Sequence, residues 1–229
     1  MIDLSIIIPS RKERYLYQTV EDIYKHREGN TEVIWGEDVD MGQRALTNHL
    51  VRFAKGKYVM KVDAHCSFMQ GFDRIMMEEM DDKTILAPMM GVLYPENWNM
   101  GSKLTRRYKF GKDFVMVYDE EDGNEETMCL QGSAWMIERE NYWKWNVCDE
   151  SLGSWGGQAV ELGIAAHING GRCKTTNNAF YGHVFRHTDE EFPYDRGEKP
   201  GQFATKELKK RYENDPRIAK LAKKFGVDW

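Results

Sequence analysis

The chain has 229 residues, of which 41% are hydrophobic and 30% charged, and a net charge of −5. Such a length suits one domain with a proper core, and the balance excludes a disordered chain. No apolar run approaches the ~20 residues of a membrane span, and no basic stretch followed by an apolar one opens the sequence, so neither a membrane partner nor a signal peptide is expected.

Cys66, Cys129, Cys148 and Cys173 show no CxxC spacing, which disfavours a zinc knuckle and fits a reduced, cytoplasmic setting better than a disulfide framework. In chain order, LSIIIPS (4–10) is a short β-branched run that predicts a buried strand stopped by Pro9. Leu16, Val20, Ile23 and Tyr24 recur at helical spacing, and Gly29 and Asn30 close that helix. EVIWG (32–36) predicts a second strand, residues 42–54 a second helix through Ala45, Leu46, Leu50 and Phe53, and KYVMKVD (57–63) a third strand. This β-α-β-α-β alternation predicts an α/β fold with a mostly parallel sheet flanked by helices. Ligands in such sheets bind beyond the carboxyl ends of the strands, where Ser10, Asp38 and Asp63 all fall.

TILAPMMGVLY (84–94) predicts a further strand, and residues 95–127 a long charged excursion. MCLQGSAWMIE (128–138) returns to strand character, and VELGIAAHING (160–170) predicts a helix closed by Gly170 and Gly171. The domain expected is 1–190, followed by a charged helical extension over 191–229 broken at Pro216. Trp135, Trp143 and Trp145 are expected in core or rim packing, and His167 and His187 at the surface or behind a site.

Asp63 and His65, two apart at a strand end, project to the same side because strand residues alternate faces. Carboxylate oxygen plus imidazole nitrogen suits a borderline divalent ion such as manganese, whereas magnesium prefers oxygens alone. Cys66 reads as a small core residue, since a thiolate site calls for a second cysteine at metal spacing.

The segments SIIIPSRKE, EVIWGED, GQRALTN with AKG, and DAHC resemble, in order and spacing over residues 4–66, the family 2 glycosyltransferases of the GT-A fold. Further on, QGSAWMIER, WGGQAVELG and GHVFR resemble the catalytic domain of the polypeptide N-acetylgalactosaminyltransferases, so the likeness spans roughly residues 4–187. A compact member of that lineage is expected, without the family's membrane anchor and lectin domain. The resemblance implies a Rossmann-like GT-A fold and transfer of a sugar from a UDP-sugar. It also implies a manganese ion (magnesium as the alternative) held by Asp63, His65 and His183.

By the same likeness Pro9, Ser10, Asp38, Gly42, Gln43 and Asp63 lie near the nucleotide, Gly132 near the donor sugar, and Trp155, Gly156 and Gly157 in a mobile loop over the donor. Arg186 is placed to reach the diphosphate. Gln158 stands where the family has a carboxylate; glutamine cannot take a proton, so a retaining reaction is expected, with Glu161 as the reserve base. Glu37 and Ser133 depart from the family pattern, which bears on nucleotide preference and on which sugar fits.

The acceptor is not readable and is left as protein, glycan or nucleic acid; the oligomeric state is not readable either. Lys103, Arg106, Arg107, Lys109 and Lys112 in the excursion, and the basic run from Lys206 to Lys224, keep open the same chemistry on hydroxylated bases of nucleic acid, as in phage-type DNA glycosylation. The plainer reading of that run is a solvated helix face. A non-catalytic sugar-nucleotide-binding module is the other alternative, kept open by Gln158.

Overall fold

The computed structural model describes residues 1–103, 107–119, 125–186 and 200–229. Its first third follows the apolar runs: β1 (Leu4–Ser10), α1 (Leu16–His26), β2 (Thr31–Glu37), α2 (Gln43–Val51) and β3 (Tyr58–Val62). Pro9 does not stop the first strand. β1 pairs with β2 through Ser10 but with β3 only as far as Ile7, so Pro9 sits where one side of the strand is already open.

Next come β4 (Cys66–Phe68), α3 (Phe72–Glu78), β5 (Thr84–Tyr94), β6 (Asn99–Lys103), β7 (Tyr108–Phe110), β8 (Met116–Tyr118) and β9 (Glu126–Thr127). The strand expected over 128–138 forms only as β10 (Ala134–Glu138), because Gln131 and Gly132 turn away from the sheet and the Gln131 side chain accepts the Gly132 N–H at 2.8 Å. α4 (Arg139–Lys144), α5 (Gln158–Ile168), β11 (Arg172–His183), α6 (Pro200–Tyr212) and α7 (Pro216–Lys224) complete the chain. The break at Pro216 is a new helix start: Pro216 takes the first helical position and Asp215 accepts the Arg217 N–H at 2.8 Å.

The main sheet runs β2-β1-β3-β10-β5-β11-β4. β1 is parallel to β2 and β3, and β5 to β11, while β10 lies antiparallel between β3 and β5. Alternation along the strands serves two buried layers. Ile7, Val59, Ile85 and Trp135 face α2, α4 and α5, whereas Ile6, Ile8, Met60, Val62 and Met136 face α1 and α3. Each such side chain contributes about 1.5–3 kcal/mol when fully buried. A third cluster joins Ala204, Leu208, Ile218 and Leu221 of the last two helices to Val160 and Ile164 of α5. No described helix is long and apolar enough to cross a membrane.

Candidate active site

β1 lies between the strands that follow it in sequence, so the chain leaves its two sides in opposite directions and a cleft opens beyond its carboxyl end. The cleft measures about 260 Å³, and Pro9, Ser10, Asp38, Gly42, Gln43 and Asp63 line it together, as the resemblance implies. Asp38 builds the loop after β2: its Oδ1 accepts the backbone N–H groups of Asp40 (2.9 Å), Met41 (2.7 Å) and Gly42 (3.1 Å). That turn aims α2, and with it Gln43, at the cleft. Glu37, the departure from the family pattern, accepts from the Ser10 hydroxyl at 3.0 Å and from the Lys12 N–H. It fastens β1 to β2 at the rim.

Sheet pairing joins the two motifs that are far apart in sequence. His183, at the end of β11, pairs with Cys66 of β4, and the Val184 N–H donates to the His65 carbonyl at 3.1 Å. His65 Nε2 then stands 3.1 Å from His183 Nε2, and His183 Nε2 stands 3.4 Å from Asp63 Oδ2. One ligand atom from each of the three lies within 4.8 Å of the others.

This donor set fits a divalent ion. Two neutral imidazoles cannot both turn an Nε2 lone pair on the other, whereas a cation between them takes both. Ligand nitrogens about 2.1 Å from one ion, at adjacent positions, are themselves about 3 Å apart. The His183 Nδ1 is buried with no hydrogen-bond partner among the described residues, so no neighbour there dictates its tautomer. Burial drives the His183 imidazole down to about 4, against the pull of the Asp63 carboxylate, which keeps the ring neutral and able to ligate. Burial alone would raise the Asp63 carboxyl. The Lys61 ammonium, the His183 hydrogen bond and His65 outweigh it and hold the carboxyl well below the usual range.

Lys61 and Glu13 were not singled out from the sequence, although Glu13 stands at the acidic end of SIIIPSRKE. Lys61 donates to Asp63 and, at 2.8 Å, to the Gly132 carbonyl. Glu13 lies 3.5 Å from His65 Nδ1 and holds Arg186 in a two-point ion pair, one bond at 2.9 Å. Burial pushes the Glu13 carboxyl up, but His65 and Arg186 hold it below its ordinary value. Arg186 therefore lines the cleft already engaged with a carboxylate.

Of the loop 153–157, Ser154 and Trp155 line the cleft. Its glycines serve close packing: a Cβ on Gly156 (φ +89°) would lie 2.3 Å from Gly201 Cα, and one on Gly42 (φ +84°) would lie 2.4 Å from Ser154 Cβ. Arg44, buried under this loop, donates to the carbonyls of Gly153 (3.0 Å) and Gly156 (2.5 Å) and to Glu161 (3.0 and 2.9 Å). Glu161, the expected reserve base, does not line the cleft: its other oxygen accepts the Asp149 N–H at 2.6 Å. Burial pushes its carboxyl up to about 7, against Arg44.

Gln158 is likewise outside the cleft lining, donating to Cys148 Sγ at 3.3 Å and packing beside Gly132. Ser133 is buried and bonds the Tyr181 hydroxyl at 2.5 Å, so its departure from the family pattern is answered by a core partner rather than by the cleft.

Arg106 and His187 lie outside the described residues, as does the side chain of Lys103. Arg107 and Lys109 both reach Asp119 at 3.2 Å, so that cluster is partly neutralised within itself. On the last two helices Arg211, Arg217 and Lys224 are paired with acids. Lys206, Lys209, Lys210, Lys220 and Lys223 are exposed and make no ion pair among the described residues.

No protein-family model matches the chain. A Drosophila melanogaster protein described as a polypeptide N-acetylgalactosaminyltransferase is 27% identical over 160 residues, covering 64% of this chain and 28% of the relative. A Caenorhabditis elegans protein described as an N-acetylgalactosaminyltransferase is 21% identical over 151 residues, covering 60% of this chain and 36% of its own length. The chain thus spans about a third or less of the curated relatives it matches. Among solved structures, GalNAc-T7 crystallised with UDP, GalNAc and Mn2+ superposes with a TM-score of 0.67 at 16% identity, over 81% of this chain and 44% of the other. S. aureus TarS residues 1–349 in complex with UDP superposes with a TM-score of 0.57 at 12% identity, over 78% of this chain and 60% of the other. The fold is that of the GT-A glycosyltransferases, and the sequence resembles the catalytic part of the polypeptide N-acetylgalactosaminyltransferases.

Proposed function

We propose that this chain is a metal-dependent glycosyltransferase that moves a sugar from a UDP-sugar to a hydroxyl acceptor with retention of anomeric configuration. The observation that carries the reading is the meeting of Asp63, His65 and His183 in one cleft with Ser10, Asp38 and Gln43. Asp63, His65 and His183 would hold the ion; two imidazoles and one carboxylate favour manganese over magnesium. When bound, the ion supplies Lewis-acid stabilisation of the negative charge on the departing diphosphate. Pro9, Ser10, Asp38, Gly42 and Gln43 would seat the uridine half, and Trp155 would cover it from the opposite wall. Arg186, steadied by Glu13, would turn one edge of its guanidinium to the phosphates.

Retention is supported by what the cleft offers a proton. Among the described residues its carboxylates are Glu13, Asp38 and Asp63, and each is engaged: by Arg186, by three backbone N–H groups and by Lys61. None is poised as an inverting base, so the acceptor proton passes to the leaving phosphate oxygen on the same face. A second reading, in which the acceptor is a polyanion such as nucleic acid, is favoured by the five exposed lysines on α6 and α7 that make no ion pair among the described residues. It predicts acceptor binding that weakens steeply with salt.

The test is release of UDP from a panel of UDP-sugars, with manganese or with EDTA, beside a His183→Ala variant. Manganese-dependent cleavage of one donor that vanishes in the variant supports the transferase and names the sugar. UDP binding with manganese but no cleavage, even with acceptors added, points to a binding module. Absence of any UDP binding sinks the reading of the triad as a metal–diphosphate site.

A further inference from the structure

Lys61 sits on the face of β3 that looks toward α2 and α5, two residues before Asp63, with its side chain 2% exposed. The neighbours on that face are Val59, Ile7 and Trp135, so an ammonium is an unusual occupant. Its charge is spent on two oxygens, Asp63 Oδ1 and the Gly132 carbonyl. Asp63 Oδ2 is the oxygen left beside His183, at 3.4 Å. The three proposed ligands carry one negative charge between them when both imidazoles are neutral, and Lys61 cancels it in direct contact. Glu13 and Arg186, immediately behind His65, cancel each other.

We propose that Lys61 is a positioning residue that makes this site take up its divalent ion together with a nucleotide diphosphate rather than alone. The inference rests on reading Asp63, His65 and His183 as the ion's ligands. A dication entering the empty cleft meets no net negative charge and a buried ammonium one ligand away. Repulsion of that kind is weakly screened in a partly dry site. The diphosphate brings the missing negative charge, so ion and nucleotide each raise the other's affinity by the same factor. Lys61 is not itself a ligand of the ion; it acts through Asp63, occupying one carboxylate oxygen and leaving the other beside His183.

The alternative role for the ammonium is to anchor the Gly132 loop, and the two roles predict opposite signs. Losing an anchor weakens ion and nucleotide binding together. Losing the charge strengthens binding of the ion alone. The experiment is a manganese titration followed by the electron paramagnetic resonance signal of the free ion, with and without UDP, on the wild-type chain and on Lys61→Met. A protein-free control subtracts the UDP–manganese complex formed in solution.

We expect UDP to tighten manganese binding at least tenfold in the wild type. Lys61→Met should tighten manganese binding without UDP at least tenfold and shrink the gain from UDP. Wild-type protein that binds manganese equally well without UDP overturns the proposal. So does a cooperatively melting Lys61→Met variant whose affinity for the ion alone is unchanged or weaker. If that variant does not fold, Lys61→Gln, which removes the charge but can still donate to the Gly132 carbonyl, is titrated in its place under the same criteria. Manganese binding in neither condition refutes the ligand reading itself, an outcome distinct from the others.

Discussion

Replacing Glu161 by Gln separates a structural carboxylate from a catalytic one. Arg44 and Glu161 form an ion pair whose side chains are 2% and 4% exposed. Taking the charge from one partner leaves the other guanidinium buried without compensation, a change that costs about 3–5 kcal/mol in such pairs. Gln keeps the shape and can still accept one bond, and Arg44 keeps the carbonyls of Gly153 and Gly156. The lower end, about 3 kcal/mol, is therefore expected. For a chain of this size each kcal/mol moves Tm by about 2–4 °C, so Glu161→Gln should melt about 6–12 °C below wild type. The burial that pushes this carboxyl up to about 7 penalises its charged form, a penalty that a neutral Gln is spared, which is a second reason for taking the lower end; the assay belongs at pH 8, where most of the wild-type carboxyl is ionised. Manganese-dependent UDP release by the folded variant should stay within about tenfold of wild type, because Glu161 lies outside the cleft lining. A variant that melts within 2 °C (roughly 1 kcal/mol or less) of wild type yet loses turnover about a thousandfold, the scale of a lost catalytic group, refutes the structural assignment.

In metal-free protein the His183 imidazole should titrate near 4 by NMR, and a midpoint near the ordinary histidine value of 6.5 would contradict its burial. Because the folded value lies below the unfolded one, His183 contributes stability that is complete above about pH 6.5 and lost as pH falls toward 4; the difference is about 3 kcal/mol, isolated by comparing wild type with His183→Ala across that window. Gly156→Ala places a methyl 2.3 Å from Gly201 Cα at a φ of +89°, so a stability loss of about 1–3 kcal/mol and weaker UDP binding are expected, read by denaturant melts and calorimetry. Ser133→Ala leaves the Tyr181 hydroxyl buried without its partner and should cost about 1–3 kcal/mol while leaving the ranking of donor sugars unchanged; a new donor preference would place Ser133 in the sugar site after all.

The first three strands and two helices were legible because their apolar spacing is local, and so was the clustering of Ser10, Asp38 and Asp63 past the strand ends. DAHC and GHVFR could be joined only through the family resemblance. The physical link is the pairing of β4 with β11, a contact between segments over a hundred residues apart that no periodicity announces. β10 inserting antiparallel between β3 and β5 escaped for the same reason. Nothing in the run KYVMKVD marks out Lys61; only the fold shows its ammonium turned inward onto Asp63. Glu161 and Gln158 sit in WGGQAVELG, beside the loop that lines the cleft, yet the first turn of α5 points both into the protein. Sequence neighbourhood fixes which loop reaches the site, whereas helix phase decides which side chains do.

The glycine-to-glycine contact between positions 156 and 201 has a practical consequence for anyone hoping to retarget this protein. α6 begins against the same loop that carries Trp155 into the cleft, and Phe203 packs over Gly153. Ala204 and Leu208 then run on into the α5 cluster. The C-terminal helices cannot be swapped between relatives as an interchangeable cassette, because one end of the cassette packs directly against the loop that lines the cleft. A graft that changes the exposed lysines should keep Gly201, Phe203, Ala204 and Leu208 as they are, and recruit new partners only through the outward face.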